Sequence, residues 1–293
     1  MKTTKDVCVF NILGYTLIGL WCLVCIFPII LLISGSLSVE SDISQFGFSI
    51  IPRHFTGAAY NLIFKAPGEL MQAYGVTIFI TVVGAGLGLI ITAMTAYVIS
   101  RKDFRYRNPI TFFFYFTTLF NGGLLSTYIF VIRYLRLKNS LLALILPLLI
   151  NVFYLLIMRS FVSSVPESIV ESGKIEGCSD YTIFFRLVLP LLKPALATIG
   201  LFLALDYWND WYNAMLYITD HKLYPLQYML YNLLSATDAM SRVATNTGIP
   251  MGSLPSQSLK MAMAVVATGP IILIYPWVQK YFIKGITVGS VKG

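Results

Sequence analysis

The run Asp206-Tyr207-Trp208-Asn209-Asp210-Trp211-Tyr212-Asn213 sets carboxylates, amides and aromatic rings side by side in an otherwise apolar block. On a helix, Asp206, Asn209, Asp210 and Asn213 recur at spacings of three and four and share one face. Ionisable groups inside a membrane span are costly and mark a cavity, a pathway or a partner contact. Carboxylates and amides hold hydroxyls, and rings such as Trp208 stack on the apolar faces of sugars, so this face has the chemistry of a saccharide contact. An aromatic belt at a membrane surface and a hydrogen-bonded patch between subunits use the same residue types, and the sequence leaves both readings open. Catalysis has less support. No G-x-x-x-x-G-K-[ST] phosphate loop, H-E-x-x-H pair, Ser-His-Asp set or metal-ligand cluster occurs, which gives this chain no cofactor of its own. His54 and His221 stand alone. Cys22 and Cys25 lie in an apolar run without further ligands, as packing thiols do.

A second stretch, Glu171 to Pro194 (ESGKIEGCSDYTIFFRLVLPLLKP), is too polar to span a bilayer and too apolar for a plain solvated loop. Pro166 suits a first helical turn with Glu167 beside it, Gly177 ends that helix, and Ser179 caps a second one. Tyr181, Phe184, Phe185 and Val188 form an apolar stripe on that second helix, and Leu189-Pro190 is expected to stop it. Two short helices about a glycine bend make a knob suited to a groove on a soluble partner.

Glu171-Ser172-Gly173, with Gly177, Leu187 and Leu189-Pro190 at the following positions, resembles the EAA loop of permease subunits of bacterial ABC importers. The family prefers two alanines after the glutamate, where this chain has the equally small Ser172 and Gly173. The resemblance implies that Glu171, Ser172, Gly173, Glu176, Gly177, Leu187 and Pro190 belong to a coupling helix docked on a separate ATPase. ATP and magnesium would then be bound by the ATPase chains, not by this one. The stretch Phe55-Thr56-Gly57-Ala58-Ala59-Tyr60-Asn61 and the tail Lys280 to Gly289 are similar to the carbohydrate (maltose-permease-like) branch. That branch implies a second, related permease, paired ATPase subunits, an extracytoplasmic solute-binding protein and an oligosaccharide substrate.

The elements that must position these residues are read from hydropathy. Of 293 residues 57% are hydrophobic and only 12% charged, with a mean hydropathy of +0.76. A soluble domain carries about twice that charged share, so the solvent here is lipid. The net charge of +8 is spread over loops without a basic arm, which argues against nucleic acid. Six apolar blocks long enough to cross a bilayer lie near 10–37, 73–99, 108–132, 140–160, 192–218 and 259–283. The fold expected is an all-α polytopic membrane protein of six transmembrane helices, a single domain over 1–293 in the inner membrane. With both termini in the cytoplasm, the coupling loop 161–191 is cytoplasmic too. Of the 21 lysines and arginines, 13 then fall inside and 8 outside, the outer ones including Arg133, Arg136 and Lys138.

The first block is too long for a cleaved signal peptide, although Ser34-Gly35-Ser36 has the small residues of a cleavage site. Gly84 and Gly88 read as a close helix contact, Asn121-Gly122-Gly123 as a weak point in the third block, and Ala244 to Gln257 as loop. Basic outer loops and the positive total would suit an acidic sugar such as a uronide, whereas Asp206 and Asp210 would repel one. An ion-coupled carrier using Asp206 and Asp210 is the alternative, and it has no use for the knob.

Overall fold

In lipid, backbone N–H and C=O groups must be satisfied within the segment, and a helix does this locally. The computed structural model describes residues 4–65, 67–247 and 257–272. Among them the regular secondary structure is helical, joined by turns and short irregular stretches, apart from one antiparallel bridge between Ser38 and Phe55. Helix α1 (Thr4–Ser36) is followed by two short helices, α2 (Glu40–Phe46) and α3 (Ala58–Ile63), and then by the long α4 (Pro67–Ser100). Only α1 and α4 are both straight and apolar enough to cross a bilayer as single helices among the described residues.

Three further apolar stretches are bent. Helices α5 (Arg107–Leu119) and α6 (Gly123–Tyr134) meet at 114°, and α7 (Leu142–Leu148) and α8 (Val152–Ser163) at 52°. The first bend falls on the expected weak point. Gly123 adopts φ +81°, which a side chain would strain, and its N–H donates to Asn121 Oδ1 at 2.9 Å. At the second bend, Asn151 caps α8 by accepting from the Phe153 N–H at 2.9 Å. After α9 (Glu167–Ile175) come α10 (Asp180–Leu191) and α11 (Lys193–Trp208), which meet at 85°. The chain then forms α12 (Tyr212–Tyr217), α13 (Leu226–Thr247) and α14 (Gln257–Ile272). The rest of the sixth block beyond Ile272, and the tail from Lys280, lie outside the described residues.

Two expectations are corrected. The block 192–218 is not one helix, because α11 ends at Trp208 and α12 starts at Tyr212. Of the segment read as loop, Ala244 to Gln257, the part up to Thr247 is helical, since α13 (Leu226–Thr247) has no interior proline or glycine, and residues 248–256 lie outside the described residues.

The chain divides into two compact units, Met1–Leu70 with Leu230–Pro270, and Met71–Met229 with Ile271–Gly293. In the first, α1 is exposed around its circumference from Phe10 to Ile30, as a lipid-facing helix is. Its buried part is Ser34-Gly35-Ser36. Ser34 Oγ donates to Ser49 O at 2.7 Å and Ser36 Oγ pairs with Tyr60 Oη at 2.9 Å. A Cβ on Gly35 would press within 3.2 Å of Met261. The small residues are thus packing residues. Glu40 accepts from the N–H groups of Gln257 and Ser258 at 2.9 and 3.0 Å and so caps α14.

In the second unit, α4 borders two cores. One gathers Ala93, Ala96 and Tyr97 of α4 with Leu155 and Met158 of α8, Ile183 and Phe184 of α10, and Ile199 and Leu203 of α11. The other joins Ile80 to Val131, Leu144, Tyr217 and Tyr228. Gly84 and Gly88 make the close contact that their spacing suggested. A Cβ on Gly84 would overlap the ring of Tyr207, and one on Gly88 would lie 2.9 Å from Leu149 O. Tyr207 is fully buried and donates from its hydroxyl to Ile145 O at 2.7 Å, which pins α11 against α7.

Candidate functional site

The knob forms as its residues dictate. Pro166 stands just before α9 as its cap residue, and Glu167 places a carboxylate in the first turn. Gly177, at φ +74°, ends the helix in a double-bonded glycine turn. Its N–H donates to Lys174 O at 3.0 Å, and that of Cys178 to Gly173 O at 2.9 Å. Ser179 Oγ then accepts from the Thr182 N–H at 3.3 Å and opens α10. Gly173 is buried where the two helices touch. A Cβ there would lie 3.0 Å from both Ile183 Cγ1 and Leu187 Cδ1, so Leu187 and Gly173 are two halves of one contact.

Pro190 does not end α10. A proline has no N–H, and in a regular α-helix its ring would crowd the carbonyl four residues back, that of Arg186; the turns before it, Ile183–Val188, are widened to π-helical spacing. The helix runs on to Leu191, and the 85° bend falls at Leu192, with Pro194 in the first turn of α11. The expected apolar stripe is split accordingly. Phe184 and Val188 enter the core, together with Ile183 from outside the stripe, while Tyr181 and Phe185 stay outside. Ile175 is 86% exposed and Tyr181 70%, so the tip of the knob presents large apolar groups that nothing among the described residues covers. Glu171, Ser172, Glu176, Gly177 and Pro190 are exposed as well.

Ion pairs tie the knob to the loop between α4 and α5. Lys174 Nζ lies 2.8 Å from Asp103 Oδ2, and Lys102 Nζ lies 2.6 Å from Glu167 Oε2. Arg101 holds Asp103 from the other side and also donates to Tyr97 Oη at 2.9 Å. The Arg101 and Lys174 bonds hold the Asp103 carboxyl well below the usual carboxylate range. Its stabilising effect is therefore present above about pH 4 and fades as pH falls below that. Asp103 and Lys174 are half exposed, so each pair contributes at most about 1 kcal/mol. Between this loop, α8 and α9 lies a cavity of about 900 Å³, lined by the Glu167, Val170, Glu171 and Lys174 face of α9.

The second candidate, the polar cluster after Leu205, is only partly the single face that its spacing suggested. Asp206 sits on α11 and accepts from Tyr154 Oη at 2.9 Å, while the Tyr154 ring stacks on Phe202 at 5.9 Å. Asn209 caps the end of α11 and is exposed. Asp210 accepts from Asn213 N at 3.1 Å and Asn213 Nδ2 at 2.9 Å, which starts α12. The side chain of Asp210 thus breaks the helix between them. Trp208 is buried, whereas Trp211 and Tyr212 are exposed. Tyr154 was not singled out by the sequence, because its partner lies 52 positions away. Nor was Asn139, whose Oδ1 accepts from the N–H groups of Thr219 at 2.6 Å and Asp220 at 3.2 Å and so clasps the loops at 135–140 and 218–221.

Residues 84–288 match the family described as binding-protein-dependent transport system inner membrane component. The chain is 40% identical over 285 residues to the polygalacturonan/rhamnogalacturonan transport system permease protein YtcP of Bacillus subtilis, covering 97% of this chain and 98% of that one. It is 39% identical over 294 residues to protein LplC of the same organism, covering 100% and 98%. Among solved structures it is similar to a chain of a bacterial ABC transporter involved in import of the acidic polysaccharide alginate. That match has a TM-score of 0.81 at 28% identity, covering 96% of this chain and 99% of that one. A family match over more than two thirds of the residues, a relative alike from end to end and a shared fold agree. The chain belongs to the binding-protein-dependent transport system inner membrane components, as an ABC transport permease of the type I fold.

Proposed function

We propose that this permease forms, with a second related permease, the path by which an acidic oligosaccharide is imported. A solute-binding protein delivers the sugar, and paired ATPase subunits bind and hydrolyse ATP with magnesium. The likeness to the polygalacturonan/rhamnogalacturonan permease over 97% of the chain carries this reading of the substrate. The solved alginate importer, whose substrate is also a polymer of acidic sugars, supports it.

Within this reading the knob is the coupling element. Closure of the ATPase dimer draws the knobs of the two permeases together, and α10 and α11 pass the movement on through the bend at Leu192. Glu171, Ser172, Gly173, Glu176, Gly177, Leu187 and Pro190 belong to this element, with Gly173 and Leu187 holding its two helices together. Both chain ends and the knob face the cytoplasm, in keeping with the cations of 101–107 on that side. Asp206, Asn209, Asp210 and Asn213 lie on the path with Trp208 behind them. The carboxylates of Asp206 and Asp210 already accept hydrogen bonds from Tyr154 and Asn213.

Uptake of a labelled oligogalacturonide by cells carrying the whole transporter tests the substrate class. Unlabelled uronate oligomers are expected to compete, and neutral maltodextrins of the same length are not. Competition by the neutral sugars alone would exclude an acidic substrate.

A further inference from the structure

The cavity beside the knob holds more positive charge than its own acids balance. Five basic side chains, Arg101, Lys102, Arg107, Arg159 and Lys174, face three acidic ones. Five of these eight groups are spent on one another, namely Arg101, Lys174 and Lys102 with Asp103 and Glu167. Arg107 and Arg159 remain. Both are half-buried, and among the described residues neither side chain has an ion pair or a hydrogen bond. Glu171 is the lining acid outside these pairs, and the two guanidinium groups outnumber it.

A half-buried guanidinium offers five N–H donors in a fixed fork and cannot discharge itself, so two of them converging on one cavity call for an anion with several oxygens. Arg107 and Asn108 are also the first two residues of α5, whose N-terminal end favours negative charge. Above them, α5 exposes Phe112, Phe113 and Phe116 along its length. At the helical rise of ~1.5 Å per residue, these rings begin about 7 Å above Arg107. Polar donors at one level and exposed rings just above follow the profile of a phospholipid, headgroup below and acyl chain above.

We propose that the cavity binds the phosphate of an anionic phospholipid, held by Arg107 and Arg159, with the acyl chains lying along Phe112, Phe113 and Phe116. The headgroup then sits against the Glu167, Val170, Glu171 and Lys174 face of α9 and sets the resting position of the knob. Binding requires only that α5 lie in the membrane, and it is independent of which sugar is imported.

The test uses the assembled transporter in nanodiscs, with bound lipid counted by native mass spectrometry. In discs of phosphatidylcholine with phosphatidylglycerol, the unaltered protein is expected to retain phosphatidylglycerol. The doubly substituted Arg107→Gln, Arg159→Gln protein is expected to lose occupancy roughly tenfold or more, whereas Arg105→Gln, outside the cavity, does not. Equal retention by the double variant would overturn the proposal. A second measurement needs neither arginine changed. Asn108→Cys, with the native cysteines replaced, is expected to react with a water-soluble maleimide in phosphatidylcholine discs and to be protected when phosphatidylglycerol is present. Protection by inorganic phosphate in phosphatidylcholine discs, or no protection by phosphatidylglycerol, would overturn a lipid as the source of the phosphate. Import assays read the sugar pathway separately, so loss of one result does not mimic loss of the other.

Discussion

Replacing Ile175 with aspartate is expected to lower uptake by roughly tenfold or more while the transporter still assembles in the membrane. The reason is where the side chain stands. Ile175 is 86% exposed at the last position of α9, and neighbouring Tyr181 is 70% exposed. A change at such a position alters the stability of the chain by no more than about 0.5 kcal/mol. A buried aromatic or aliphatic anchor at the centre of an interface contributes about 2 kcal/mol or more, and a carboxylate there is worse than a truncation. An exposed isoleucine beside a built glycine turn therefore has a large effect only through a partner. Uptake within twofold of the unaltered protein, at equal membrane abundance, would show that the tip docks on nothing that matters for transport. The control is Glu176→Gln on the same rim, where a smaller loss is expected because rim charges contribute little.

The largest expected effect on stability is that of Gly84→Ala. A single methyl at this position overlaps the Tyr207 ring, and that ring is fixed by burial and by its bond to Ile145 O. Overpacking of this kind costs about 1–3 kcal/mol, and more where the obstacle is a ring that cannot turn aside. The pair should also be strongly non-additive. Gly84→Ala with Tyr207→Phe keeps the ring and is expected to remain destabilised, whereas Gly84→Ala with Tyr207→Leu is expected to recover part of the loss. Thermal unfolding in detergent reads both. Equal melting temperatures for Gly84→Ala and the unaltered protein would mean that α4 and α11 do not approach as described.

What could be read from the residues, and what could not, follows from the range of the forces involved. Gly177, Ser179, Asn121 and Gly123 act on their own backbones, so the bend in the knob, the cap of α10 and the break between α5 and α6 were legible. Small residues at Gly84 and Gly88 announced a close approach, though not that Tyr207 fills it. The widened turns at Ile183–Val188 were hidden because apolar residues fit π and α spacing alike, and only the crowding at Pro190 distinguishes them. The break after Trp208 was hidden for a different reason. The spacing of Asp206, Asn209, Asp210 and Asn213 fits one continuous helix, and only the capture of Asn213 N by Asp210 shows that the helix restarts there. Pairings across long stretches of chain, such as Tyr154 with Asp206, Asn139 with Thr219 and Lys174 with Asp103, leave no local mark. Of the loop read over Ala244 to Gln257, only the part up to Thr247 was overruled, by the company that its residues keep. Thr, Asn and Ser are tolerated in a helix when no glycine or proline interrupts it, and α13 has none inside.

The central claim is that the short helical elbow between α8 and α11 receives force from a separate nucleotide-hydrolysing subunit. Site-directed cross-linking from Ile175→Cys, with the four native cysteines replaced, tests it most directly. In native membranes of cells expressing the whole transporter, the expected result is a covalent product containing this chain and the ATPase, with a yield that changes when ATP is added. No such product, or labelling of Ile175→Cys in intact cells by a reagent that cannot cross the membrane, would contradict it.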